Sequence, residues 1–177
     1  MMIDHLKGES VILRAMERQD WEAVHAYASQ PIVCQCQPWG PNSEKESYEF
    51  VTQVMLDASI IPRSRFVFAV IVKERVIGAG EINIRDSSNR QGEIGYIIHP
   101  DYWANGYATE VSKLLIDFGF KTLNLHRIFA TCDPRNVGSA KVLEKVGMTN
   151  EGRIRQDLLL RDGWRDSLLY SILMHEW

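Results

Sequence analysis

Glu93-Ile94-Gly95-Tyr96-Ile97-Ile98, followed after a short loop by Trp103-Ala104-Asn105-Gly106-Tyr107-Ala108-Thr109, reads as a strand, a glycine-containing turn and the start of a helix. The strand is predicted over 93–98, the loop over 100–105 and the helix from Gly106 to about Lys121, with Leu114, Leu115 and Phe118 on its buried face. A turn of this kind suits an anion. Several main-chain N–H groups converge at a helix N-terminus, and a residue without Cβ stands where the backbone must come close. Gly106 and the small Ala108 meet that need, in the manner of a pyrophosphate cradle. Taken alone, 105–108 describes a tight strand-to-helix connection equally well.

Working outward, a strand over 127–132 leads into Asn136-Val137-Gly138-Ser139 and a short helix over 136–146 that Gly147 stops. Two strands, 150–160 and 164–174, close the chain about the turn Asp162-Gly163. Upstream, 65–72 and 76–84 form an antiparallel hairpin across Lys73-Glu74-Arg75, and a polar loop covers 86–91. Nearer the N-terminus, 10–16 is a strand, Asp20 caps a helix through Ser29, and Pro31 ends it. Pro38, Gly40 and Pro41 mark a loop. Ser43-Glu44-Lys45-Glu46 then has the capping-box spacing and opens a second helix to about Ala58, with Tyr48, Val51 and Met55 at helical intervals. This alternation predicts an α+β (mixed α/β) fold: one mixed sheet of about six or seven strands flanked by four helices.

Composition sets the frame. The 177 residues, 45% of them hydrophobic, suffice for one core, so 1–177 is expected to be a single domain. A net charge of −3 argues against a nucleic-acid partner, which needs clustered Lys and Arg. The first eight residues lack an apolar signal core and the longest apolar run, 66–72, is too short for a bilayer, so no membrane partner and a cytoplasmic location are expected. Cys34, Cys36 and Cys132 are expected to be reduced thiols. The five histidines include no i, i+4 pair, so no metal site is expected.

The two halves occur in order: Trp103 to Thr109, then Asn136 to Ser139 followed by Leu143-Glu144-Lys145-Val146-Gly147-Met148. Together they resemble the GNAT superfamily, specifically its ribosomal-protein N-terminal acetyltransferase (RimJ/RimL-like) branch, over about half the chain, 78–152. The resemblance implies that Trp103, Ala104, Asn105, Gly106, Tyr107, Ala108 and Thr109 hold the pyrophosphate of acetyl-CoA. It also implies that the strands 93–98 and 127–132 splay apart for the pantetheine. Splayed strands leave amides unpaired, and pantetheine is rich in groups that can pair with them. The main-chain N–H of Ile97 or Ile98 would face the thioester carbonyl as an oxyanion donor. The implied reaction is direct acetyl transfer to a primary amine, first of all a protein N-terminal α-amine. A small amine (polyamine, amino-acid derivative or antibiotic) and a non-catalytic acyl-CoA-binding module are the alternatives, and the chain would be a monomer or homodimer.

Several positions keep two readings. Trp103 stands where most of the superfamily has Gln or Arg; the RimJ/RimL-like branch also carries Trp there, and it either covers the cradle or packs. Leu143 stands where many members carry a thiolate-protonating tyrosine, and the resemblance to the related branch offers Ser139, three residues after Asn136, as the acid instead. Alternatively, Ser139 satisfies first-turn amides and Asn136, the other cofactor contact, is only a cap. Glu93 is the expected base and Glu81 its rival, with solvated surface carboxylates as the plainer reading of both. Cys132 reads as buried filler ahead of an acyl carrier. Arg153 and Arg155, near Asp157, Asp162 and Asp166, read as charge-balanced surface. Trp39, Tyr48 and Phe50 read as packing ahead of acceptor contact.

Overall fold

The structure, a computed structural model, describes residues 5–177. Its strands are β1 (Leu6–Lys7), β2 (Ile12–Ala15), β3 (Arg65–Val72), β4 (Arg75–Asp86), β5 (Gln91–Ile98), β6 (Arg127–Cys132), β7 (Thr149–Leu160) and β8 (Gly163–Leu173). Its helices are α1 (Trp21–Ala28), α2 (Pro31–Cys34), α3 (Glu44–Asp57), α4 (Tyr107–Lys121) and α5 (Val137–Lys145). One sheet takes all eight strands in the order β1-β2-β3-β4-β5-β6-β8-β7. Every pairing is antiparallel except β5 with β6. The class is the expected mixed α/β one, with a strand and a helix more than the sequence suggested. The extra strand is the two-residue β1, too short to show a period.

The extra helix corrects the role of Pro31. α1 has already ended at Ala28, and Pro31 opens α2, where a missing N–H costs nothing. Asp20 precedes α1 as expected but makes no side-chain cap. Its carboxylate instead accepts from both terminal nitrogens of Arg14 and from the Glu17 N–H. The capping box of α3 does form: Glu46 N donates to Ser43 Oγ at 3.3 Å, and Ser43 N donates to Glu46 Oε2 at 2.7 Å. Lys73 and Glu74 turn the β3–β4 hairpin with positive φ, +47° and +64°, the conformation that matches strand twist in a two-residue turn.

Alternation in β3 divides the core. Phe66, Phe68, Val70 and Val72 join the cluster beneath α4 and α5, which includes Ile82, Ile94, Leu115, Ile116, Ile128 and Leu143. Val67 and Ala69 face the cluster of α1 and α3 with Val24, Tyr27, Val51 and Val54. Each large side chain so buried contributes roughly 1.5–3 kcal/mol, and the two layers cover the sheet on both faces. Among the described residues, no helix is long and apolar enough to cross a membrane.

The parallel pair is short. β5 and β6 pair only at Gln91↔Arg127, Gly92↔Ile128 and Glu93↔Phe129. Beyond Glu93, β5 remains paired to β4 as far as Ile98↔Gly78, and β6 remains paired to β8 as far as Cys132↔Leu168. The two strands are thus each held from outside while their facing edges part, and residues 94–98 and 130–132 line a fork.

Candidate active site

Hydrogen-bond alternation decides what each residue of β5 presents to the fork. His99 N donates to Ile77 O at 2.7 Å, continuing the β4–β5 ladder, so the odd-numbered residues bond toward β4. Ile97 lies opposite Ala79 in that ladder, whereas the main-chain groups of Tyr96 and Ile98 turn toward the gap. Trp103 claims one of these groups: its indole Nε1 donates to Ile98 O at 2.7 Å. The indole is therefore fastened to the fork, although the residue is 46% exposed. It is neither core filler nor free surface.

The loop that follows is shaped for an anion. Ala104 (φ +61°) and Gly106 (φ +83°) are both left-handed, with Asn105 between them, an arrangement that turns successive N–H groups into one concavity. Asn105 Nδ2 holds the loop by donating to Tyr102 O at 3.2 Å and Trp103 O at 2.8 Å. Gly106 is the N-cap of α4 and offers no side-chain bond. The first intrahelical bond runs from Glu110 N to Gly106 O, so the N–H groups of Tyr107, Ala108 and Thr109 have no partner within the helix. The fifteen-residue helix adds its dipole. Lys73 and Arg75, at the hairpin tip, border a pocket of about 280 Å³ with Tyr102 and Tyr107.

Across the fork, Asn136 Oδ1 accepts from Ser139 N at 3.0 Å, so Asn136 is the N-cap of α5. The Ser139 hydroxyl is not spent on its own helix. It lies 3.0 Å from the hydroxyl of Tyr96, bridging α5 to β5. Burial pushes the Tyr96 phenol up to about 12, only partly offset by that hydrogen bond. Tyr96 carries no role in the sequence reading, because strand period alone does not say which strand edges part. Cys132, at the end of β6, is buried and its thiol is pushed up by that burial, the state of a packing residue and not of a nucleophile.

The opposite face of the sheet holds the two carboxylates. Glu81 lies opposite Gly95, and Glu93 opposite Asn83, so both point to the side of α1 and α3. Arg65 bonds Glu81 Oε2 at 3.1–3.2 Å and Asp57 at 3.0 Å. Arg85 Nε donates to Glu93 Oε2 at 2.7 Å. Arg85 lies further along β4 toward the closed end of the fork, so it draws the Glu93 carboxylate away from the gap. Glu81 stands nearer the opening, beside the space left by Gly95, where a Cβ would come within 3.6 Å of Glu81. Trp39 and Phe50 pack on the α1/α3 cluster, and Tyr48 is exposed against Trp21. Arg153 donates to Asp166 at 2.6 Å, as a charge-balanced surface would have it. Among the described residues, no group of three or more His, Cys, Asp or Glu is arranged to hold a metal ion.

Comparison with known proteins agrees with this architecture. Residues 10–149 match the family model described as Acetyltransferase (GNAT) domain. The uncharacterized N-acetyltransferase YnaD of Bacillus subtilis is 33% identical over 98% of this chain and 99% of its own length. The spermidine N(1)-acetyltransferase of Escherichia coli is 28% identical over 96% of this chain and 89% of its own. The crystal structure of ribosomal-protein-S5-alanine acetyltransferase from Vibrio fischeri superposes with a TM-score of 0.82 at 26% identity, covering 99% of each chain. A forked parallel strand pair and an uncapped, glycine-led helix, together with a family match over most of the chain, lead to one conclusion: the chain belongs to the GNAT family of acetyltransferases, acyltransferases that use acetyl-CoA.

Proposed function

We propose that this acetyltransferase acts on α-amines at protein or peptide N-termini. The observation that carries the reading is how little uncompensated negative charge the acceptor face holds: Glu93 is paired to Arg85, and Glu81 shares Arg65 with Asp57, which leaves a single excess carboxylate charge there. A polyamine calls for several unpaired carboxylates, whereas a single α-amine needs one acceptor for one proton. The likeness to ribosomal-protein-S5-alanine acetyltransferase supports it.

The residues fit the co-substrate. The N–H groups from Ala104 to Thr109 suit a pyrophosphate, and the parted edges of β5 and β6, with Asn136 and Ser139 beside them, suit pantetheine amides. Bound acetyl-CoA supplies a thioester whose sulfur is the leaving group. Glu81 takes a proton from the incoming ammonium, freeing the nitrogen lone pair for the carbonyl carbon. The Ile98 N–H stabilises the negative charge that grows on the carbonyl oxygen. As the C–N bond forms and the C–S bond breaks, the nitrogen releases its second surplus proton to solvent, and the Ser139–Tyr96 hydroxyl pair gives a proton to the thiolate and recovers one from solvent.

A free-thiol assay with acetyl-CoA tests this reading. Peptides with open N-termini should turn over about tenfold or more better in kcat/KM than N-blocked peptides or spermidine. Turnover of spermidine alone would replace it with the small-amine reading, which the likeness to spermidine N(1)-acetyltransferase favours. In the same assay Glu81→Gln should lose about 10²-fold in kcat while Glu93→Gln stays within about threefold. The reverse order would make Glu93 the base.

A further inference from the structure

Arg165, in β8, is 8% exposed, yet among the described residues no carboxylate forms an ion pair with it. Arg14, Arg65, Arg85, Arg127, Arg135 and Arg153, all with more exposed side chains, each touch an acid directly. The guanidinium of Arg165 donates from Nη1 to Cys36 O at 3.0 Å and from Nη2 to Ser167 Oγ at 2.5 Å. The Ser167 hydroxyl in turn donates a hydrogen bond to Asp157 Oδ2 at 2.6 Å, so the nearest bonded acid is one hydroxyl removed. Nε is buried and has no partner at all. Buried Asp133 feels the charge of Arg165 without bonding it, so the cation's hydrogen bonds go only to a carbonyl and a hydroxyl while a third donor stands idle, an arrangement that a bonded anion would complete.

Its place in the sheet says which anion. Glu93 pairs with Phe129 and Phe129 with Ser171, and alternation along β8 from Ser171 through Leu169 and Ser167 puts Arg165 on the face that carries Glu81 and Glu93. β8 runs antiparallel to β6, so Arg165 lies beyond Cys132, at the end where the fork opens. One face therefore has a proton acceptor on one side of the opening and an incompletely matched guanidinium on the other.

We propose that Arg165 anchors a carboxylate carried by the acceptor, close to the amine that is acetylated. The inference rests on the reading of this face as the acceptor site and narrows it. Nε–H is idle and Nη2 keeps a second hydrogen beside the one it gives to Ser167, so this edge, which is covered in the structure, offers a carboxylate that uncovers it two parallel donors. The carboxylate belongs to an acidic residue near a peptide N-terminus; a preference for a free amino acid over its amide would keep the anchor but move the acceptor to the small α-amines.

Acceptor pairs differing only in that group decide it: an amino acid against its amide, and a peptide with Asp at its second position against the same peptide with Asn. The wild-type protein should prefer the carboxylate member of at least one pair by about tenfold in kcat/KM, and the pair that shows the preference identifies the source. Arg165→Gln should abolish the preference by raising KM for the carboxylate acceptor, with KM for the neutral acceptor and for acetyl-CoA unchanged. A loss shared equally by both acceptors would make Arg165 a structural clasp on Cys36 and overturn the anchor. Should that variant not fold, the wild-type comparison stands by itself: transfer to neutral acceptors without carboxylate preference removes the anchor alone. Absence of transfer to every amine removes the acceptor reading and the anchor together.

Discussion

Tyr96 and Ser139 come from different elements, and their hydroxyls meet 3.0 Å apart at the fork. In the proposed reaction, two hydroxyls in contact, one on a phenol pushed up to about 12, would act as one proton store: the phenol keeps its proton at neutral pH and can reload the serine. Tyr96→Phe should therefore lower kcat about 10²-fold while KM for acetyl-CoA changes less than about threefold, and Tyr96→Phe with Ser139→Ala should be no worse than the poorer single variant. Independent, multiplying losses in steady-state kinetics would mean that the two do not work as a unit. The sequence singled out Ser139 through the family resemblance, three residues after Asn136, and the structure puts its hydroxyl at the fork. Tyr96 was not singled out, since its significance depends on β6 leaving β5 three residues earlier, and nothing in an apolar strand run records where its neighbour departs. The aim of Glu93 was hidden for a similar reason: Arg85, on another strand, draws the carboxylate toward itself.

At the scale of elements, α4 and the turn before it form the best-read part of the chain, because glycine at a helix start and an apolar face of period 3.6 are both local signals. The left-handed Gly106 (φ +83°) is what aims the first-turn N–H groups together, and an added Cβ there meets no atom of the protein within 4 Å. Its cost is therefore conformational, not a clash. Gly106→Val should destabilise the fold by about 1–2 kcal/mol and raise KM for acetyl-CoA about tenfold, seen as a lowered melting temperature and a smaller rise on adding acetyl-CoA. Unaltered KM would mean that the turn makes no contact with the pyrophosphate. Elements decided by distant contacts were harder to read. α2 exists because the chain after Pro31 folds a single turn onto the α1/α3 core through Val33 and Cys34. β7 also departs from a plain strand: its register against β8 shifts between Ile154 and Leu158, with Gln156 at φ +50°, so the facing of Arg153 and Arg155 does not follow simple alternation.

Over the whole molecule, two sets of ionisable groups confine stability to a band of pH. On the acid side, Arg127 bonds both oxygens of Glu151 and Ser171 donates to it, joining β6, β7 and β8 and holding that carboxyl down to about 2 from an ordinary 4.5. Asp133 is lowered by its bonds to Arg135, which outweigh its burial, and Asp166 by the Gln156 N–H and Arg153. A carboxyl that ionises more readily when folded contributes stability above its unfolded value, and that contribution is lost as pH falls through the folded one. On the alkaline side, burial raises the Cys34, Cys36 and Cys132 thiols above 9.0 and the Tyr27 and Tyr96 phenols above 10.0. These groups stay neutral in the fold while the unfolded chain ionises, so stability falls as pH rises past the unfolded values. The melting temperature should be level between about pH 5 and 8, drop toward pH 2 and drop again above about pH 9. Glu151→Gln should start from a lower plateau and show a shallower acid limb, because the variant has already lost the group that titrates there. An acid limb as steep as the wild type's would show that Glu151 is not what ties the far edge of the sheet to β6, and a melting temperature still climbing beyond pH 9 would contradict the buried thiols and phenols.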